Sequence, residues 1–247
     1  MASVETMLEG FNLADLDTRA AAFCTELHEQ GYAILCLGSD AQPDIDAIRS
    51  LGSAFFALPE VDKQQNVVAD VATAAVGGEG IGYRMQRDRG VEFFETFLDG
   101  HGRVVPPVRR PDGFAEAVAA MHRRLTTVAR SLLRICAAHL RVPVERLLAP
   151  LDLFDEDEAD EARQPCHTSS LLRVCHYLSA TAASECTAPL SDDGDAILFA
   201  EHADSTLLTL SLMSPGAAGL QLRRKPARAP LPGQQHGRQL DAVAEYV

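Results

Sequence analysis

The chain has no run of about 18 or more consecutive apolar residues, which argues against a membrane-spanning helix. Its opening, Met1-Ala2-Ser3-Val4-Glu5, lacks the basic and apolar regions of a secretory leader. The expectation is an intracellular, cytoplasmic protein. Positive charge is scarce: 22 Lys and Arg stand against 35 Asp and Glu, a net charge of −13. That disfavours nucleic acid and anionic membrane as general partners, because both require a basic footprint. It leaves room for a local basic pocket that takes a small anion. The Gly-x-Ser-x-Gly, Walker and dinucleotide fingerprints are missing. Gly77-Gly78-x-Gly80-x-Gly82 opens no helix and reads as a flexible loop. Six cysteines (24, 36, 136, 166, 175 and 186) do not have the spacing of a zinc finger or ribbon. Their adjacent histidines, His167 and His176, would point to opposite strand faces. They read as reduced thiols, not as a disulfide framework.

What is present is an ordinary globular composition, 47% hydrophobic and 23% charged over 247 residues. It fits one large domain or two small ones. Asp15 and Asp17 are N-cap candidates for a helix that runs to about Gln30, with Gly31 as its stop. Tyr32 to Leu37 reads as a buried strand. Pro43 opens a second helix that turns Ile45, Ile48, Leu51, Phe55 and Phe56 inward. Residues 66–82 read as loop, and Glu92 to Leu98 as a strand with Glu92 and Glu95 at the surface. Phe114, Val118, Met121, Leu125, Val128, Leu132, Ile135 and Leu140 recur at helical spacing from Pro111 to about Leu140. His122 and His139 are expected on or beside the exposed face of that helix. A short helix follows Pro143, then an acidic loop around Asp155 to Glu161.

The chain changes character after that loop. Leu171 to Leu178, Ala196 to Glu201, Thr206 to Met213 and Gly219 to Arg223 each read as strands, with no helices between them. Helices followed by consecutive strands predict an α+β fold with an antiparallel sheet. Between the second and third runs, at the end of one and directly before the next, His202 and Asp204 sit two positions apart. In a strand they would share a face, with Cα atoms about 6–7 Å apart. A His and a carboxylate at that spacing form two thirds of the facial triad that binds non-haem Fe(II). Residues 224–247 are basic, Pro-rich and polar, and read as a disordered tail.

Four parts of the chain in this order, the N-terminal one represented by two stretches, resemble the isopenicillin N synthase-like 2-oxoglutarate/Fe(II)-dependent dioxygenases. Gly31-Tyr32-Ala33-Ile34 resembles that family's first strand, and Phe56-Ala57-Leu58-Pro59-Glu60-Val61-Asp62-Lys63 the stretch after its second helix. Leu172-Arg173-Val174-Cys175-His176-Tyr177 resembles its Arg-x-Asn-Tyr-Tyr strand, with Cys175 in place of Asn. His202-Ala203-Asp204-Ser205 resembles its His-x-Asp strand, and Gly219-Leu220-Gln221-Leu222 its Gly-Leu-Gln-Val strand. The resemblance covers about Leu13 to Arg223. It implies Fe(II) held by His202 and Asp204, 2-oxoglutarate as co-substrate near Tyr177, and a small-molecule substrate.

The family also carries a second His and an Arg-x-Ser on later jelly-roll strands. Here His236 is the only histidine after Asp204, and it lies among polar residues. Its ordinary reading is a tail histidine, with third ligand as the alternative. The implied fold is a helical N-terminal region followed by a partial double-stranded β-helix that lacks its C-terminal strands. The divisions are a helical and mixed region (1–110), a long helix with acidic loop (111–165), a partial jelly-roll core (166–223) and the tail. Two functions follow as expectations: a dioxygenase-like oxidoreductase, or a truncated, non-catalytic relative that acts by binding.

Overall fold

The computed structural model describes residues 10–68, 81–99, 101–148, 170–178, 197, 204, 206–212, 221–222 and 244–245. Two layers result, one helical and one an antiparallel sheet, in agreement with the expected α+β class.

Strand β1 (Phe11–Asn12) is followed by a 3-10 turn over Leu13–Asp15, in which the Asn12 side chain accepts the Ala14 N–H at 3.0 Å. Helix α1 (Ala20–Gln30) therefore begins after Asp15 and Asp17 rather than at them. Gly31 ends it in the left-handed conformation, φ 88°, where a side chain would be strained. Strand β2 (Leu35–Cys36) is shorter and less buried than the six-residue run predicts. Among the described residues its only partner is β1, in parallel, and β1 offers two residues to pair with. Helix α2 (Gln42–Phe56) has Pro43 in its first turn and buries Ile45, Ile48, Phe55 and Phe56. The one-turn helix α3 (Glu60–Gln64) follows.

The main sheet contains β3 (Val67–Val68), β4 (Ile81–Gln86), β5 (Val91–Leu98), β6 (Val104–Val105) and, far along the chain, β7 (Leu172–Tyr177). Between β6 and β7 lie the long helix α4 (Phe114–Leu140) and the short α5 (Glu145–Leu148). All sheet pairings are antiparallel. Strand β5 is central: β4 lies on one edge, and β7 and then β6 on the other. A second, two-stranded sheet pairs β8 (Gln221–Leu222) with β9 (Ala244–Glu245). β9 falls within the segment expected to be a disordered tail.

Because side chains alternate, β5 presents Glu92, Phe94, Thr96 and Leu98 to one face and Val91, Phe93, Glu95 and Phe97 to the other. The first face packs on α2 and α4. Phe55 is the centre of that core: its ring stacks on Phe114 at 4.9 Å and meets Phe94 at 5.2 Å, Phe56 at 5.3 Å and Tyr83 at 6.2 Å. Gly52 faces the same core, where a Cβ would meet Val174 at 3.4 Å, an ordinary van der Waals contact. A second cluster joins Phe11, Phe23, Val128, Leu132 and Ile135 at the far end of α4.

Three expectations are corrected. Glu92 and Glu95 are only 2% and 3% exposed, because β5 is covered on both edges and both faces. His122 is buried, not exposed, whereas His139 is exposed as expected. Residues 206–212 form no strand. There Thr209 donates its hydroxyl to the Asp204 carboxylate at 2.6 Å, and the Thr206 and Thr209 hydroxyls are 2.8 Å apart. Such local side-chain bonds compete with strand pairing. Leu208 and Leu210 still pack against the second cluster.

Candidate functional site

The implied iron ligands are only partly within the described residues. His202 and His236 lie outside them, as do the acidic loop and the Gly-rich stretch up to Gly80, whereas its last glycine, Gly82, lies in β4 and not in a loop. Asp204 is exposed and not in a strand. Among the described residues, no three His, Cys, Asp or Glu side chains cluster closely enough to hold a metal ion. Cys24, Cys36, Cys136 and Cys175 are free thiols, and Cys166 and Cys186 lie outside the described residues.

Strand β7 brings together the polar groups that the sequence singled out and others that it did not. Arg173, Cys175 and Tyr177 share the sheet face opposite the helices, opposite Glu95, Phe93 and Val91 respectively. Tyr177 is 49% exposed there. Arg173 donates to Glu95 from Nε at 2.7 Å and from Nη2, both to the same oxygen. Arg84, on β4, donates to the other oxygen of Glu95. Both guanidiniums lie over the Phe93 ring, 5.1 Å (Arg84) and 5.0 Å (Arg173) from its centroid. Cation–π contact and the charge-assisted bonds fix both arginines in place.

The helix-side face of the same strands holds a second ionic group. Glu92 accepts from Lys63 Nζ at 2.6 Å, Tyr83 OH at 2.7 Å and His176 Nδ1 at 2.9 Å. Burial pushes the Glu92 carboxyl up, but these three donors outweigh it and hold it below the usual carboxylate range. Burial and the adjacent Glu92 raise the Tyr83 phenol. His176 also stacks on Phe56, with ring centroids 5.3 Å apart. Neither ionic group was legible as buried, because their partners are distant in sequence. The one signal available was the pair of acids inside an otherwise apolar run.

His122 braces β7 from α4. Its Nε2 lies 3.3 Å from the Ser170 carbonyl and its Nδ1 3.3 Å from the Thr126 hydroxyl. A carbonyl only accepts, so these partners assign the ring proton to Nε2. Burial lowers the His122 pKa. A folded-state pKa below the unfolded value of about 6.5 gives stability that is full above that value and is lost as pH falls through it. The thermal midpoint is therefore expected to fall from pH 7 to pH 5, and to fall less in His122→Asn. An identical pH slope in the variant would count against this role.

No family model and no curated protein sequence matches this chain. Among solved structures it is similar to a provisionally assigned 2OG-Fe(II) oxygenase family protein from Caulobacter crescentus. That match has 21% identity and a TM-score of 0.45, and covers 69% of this chain and 56% of that one. It is also similar to a provisionally assigned oxygenase from Shewanella oneidensis, at 19% identity and TM-score 0.43, covering 76% and 57%. The chain thus spans little more than half the length of each. No helix among the described residues is long and apolar enough to cross a membrane.

Proposed function

We propose that this chain is a 2-oxoglutarate/Fe(II)-dependent dioxygenase-like oxidoreductase of the isopenicillin N synthase-like type. It acts on a small molecule, in the cytoplasm. The observation that carries the reading is the placement of Arg173, Cys175 and Tyr177. They share the sheet face turned away from the helix layer, on the strand that resembles the family's co-substrate strand. Tyr177 is half exposed on that face, which suits a hydroxyl that meets a bound acid. In this reading the antiparallel sheet is one wall of a partial double-stranded β-helix.

The ligands we assign to iron are His202 and Asp204, with His236 the remaining downstream histidine. Of these only Asp204 is among the described residues, and its carboxylate accepts the Thr209 hydroxyl. The described residues do not by themselves fit a three-ligand centre, so the assignment stands on the His-x-Asp pattern.

The test is succinate formation from 2-oxoglutarate with Fe(II) and O2. The chain is expected to turn over 2-oxoglutarate, and His202→Ala to fall to background. Equal succinate formation by the two proteins would exclude this chemistry. Absence of turnover in both would favour the alternative, a non-catalytic binding protein.

A further inference from the structure

We propose that Arg173 is the recognition residue for a carboxylate on the bound small molecule. This rests on the reading above and names a chemical class for the ligand. The starting point is an excess of arginine over structural need. Glu95 is buried, and Arg84 already pairs with one of its oxygens. Arg173 takes the other oxygen through Nε and Nη2. Among the described residues its Nη1 makes no hydrogen bond, and the side chain remains 44% exposed.

The guanidinium is held on one edge by Glu95 and on its flat side by Phe93. What remains is a rigid edge with unmet N–H donors. Such an edge loses little freedom on meeting an acid, and its planar fork matches a carboxylate. The groups beside it suit a small polar acid. Cys175 and Tyr177 follow on the same face, and the Tyr177 side chain is itself half exposed. At about 3.3 Å of rise per residue, Arg173 and Tyr177 lie roughly 13 Å apart at Cα. Their long side chains leave between them the span of a short-chain acid. A point charge such as lysine would keep the ion pair with Glu95 but would lose the fork.

The carboxylate could belong to 2-oxoglutarate or to the substrate that is oxidised, and the experiment separates the two. Binding of 2-oxoglutarate and of N-acetylglycine to the full chain is followed by ligand-observed NMR without iron. The dimethyl ester of 2-oxoglutarate and N-acetylglycinamide serve as neutral controls. The acid that occupies the site is expected to bind about tenfold more tightly than its neutral control, and Arg173→Lys is expected to abolish that preference. Displacement of N-acetylglycine by 2-oxoglutarate assigns the site to the co-substrate. Simultaneous binding assigns it to the substrate. Arg84→Lys disturbs the same Glu95 without touching the ligand, and is expected to keep the preference. No preference for acids, or equal loss in Arg173→Lys and Arg84→Lys, overturns the proposal. Because the readout is binding without metal, it can succeed or fail independently of succinate formation.

Discussion

Glu92→Leu is expected to lower the stability of the fold by about 3–5 kcal/mol, the usual cost of stripping one partner from a buried ion pair. Lys63 and Glu92 have side chains only 8% and 3% exposed. Without the carboxylate, the Lys63 ammonium keeps, among the described residues, one hydrogen-bond acceptor, the Phe56 carbonyl at 3.0 Å, and the face of the Tyr83 ring 4.9 Å away. The Tyr83 hydroxyl and the His176 ring lose their acceptor at the same time. The double variant Lys63→Met/Glu92→Leu is expected to recover a large part of the loss, because an apolar pair of similar volume replaces a buried ionic one with little net cost. Urea denaturation of both proteins measures this. A single variant within about 1 kcal/mol of wild type would show that the pair is not a buried charge in the sense used here. A double variant no better than the single would carry the same message.

Phe55→Ala is expected to cost about 3–5 kcal/mol. The ring is fully buried, and four other aromatic rings lie around it. Those rings come from α2, β4, β5 and α4, so the cavity would open where both layers meet. Phe55→Leu, which keeps most of the volume, is expected to cost less than half as much. Calorimetric or denaturant midpoints test the ranking. Equal losses for the two variants would argue against a cavity as the cause.

The helical half of the molecule was legible because its signals are local. Gly31 after a run of helix formers, Pro43 ahead of an amphipathic stretch and the apolar repeat from Phe114 each act within a few residues. Strand β7 was legible for the same reason, from a short β-branched and aromatic run. What could not be read was the fate of polar residues inside such runs. Glu92 looked like a surface acid because its partner His176 lies 84 positions away. Glu95 likewise waits for Arg173, 78 positions on, and His122 for Ser170, 48 positions on. The reverse error occurred at Thr206 to Leu212, where an apolar, Thr-rich pattern suggested a strand. Threonine and aspartate side chains bond to one another there, and the segment follows a non-strand path. Of the candidate site, the residue types on β7 were visible in sequence, but not the arginine pair that shares Glu95.

The position of β7 at the edge of the central strand has a consequence for how the protein is made. The β4–β5 hairpin closes across the short turn at Arg87–Arg89, and α2 precedes it, so both can assemble early in synthesis. The strand that completes β5 arrives only after α4 has been made, and loop closure over that distance is slow. Until then β5 has a bare hydrogen-bonding edge, and Glu92 and Glu95 lack His176 and Arg173. Carboxylates still short of a donor on an unfinished edge discourage foreign strands from docking there. The two glutamates thus act twice over a molecule's lifetime: first as guards of a nascent edge, then as the anchors that receive the strand for which the edge was kept open.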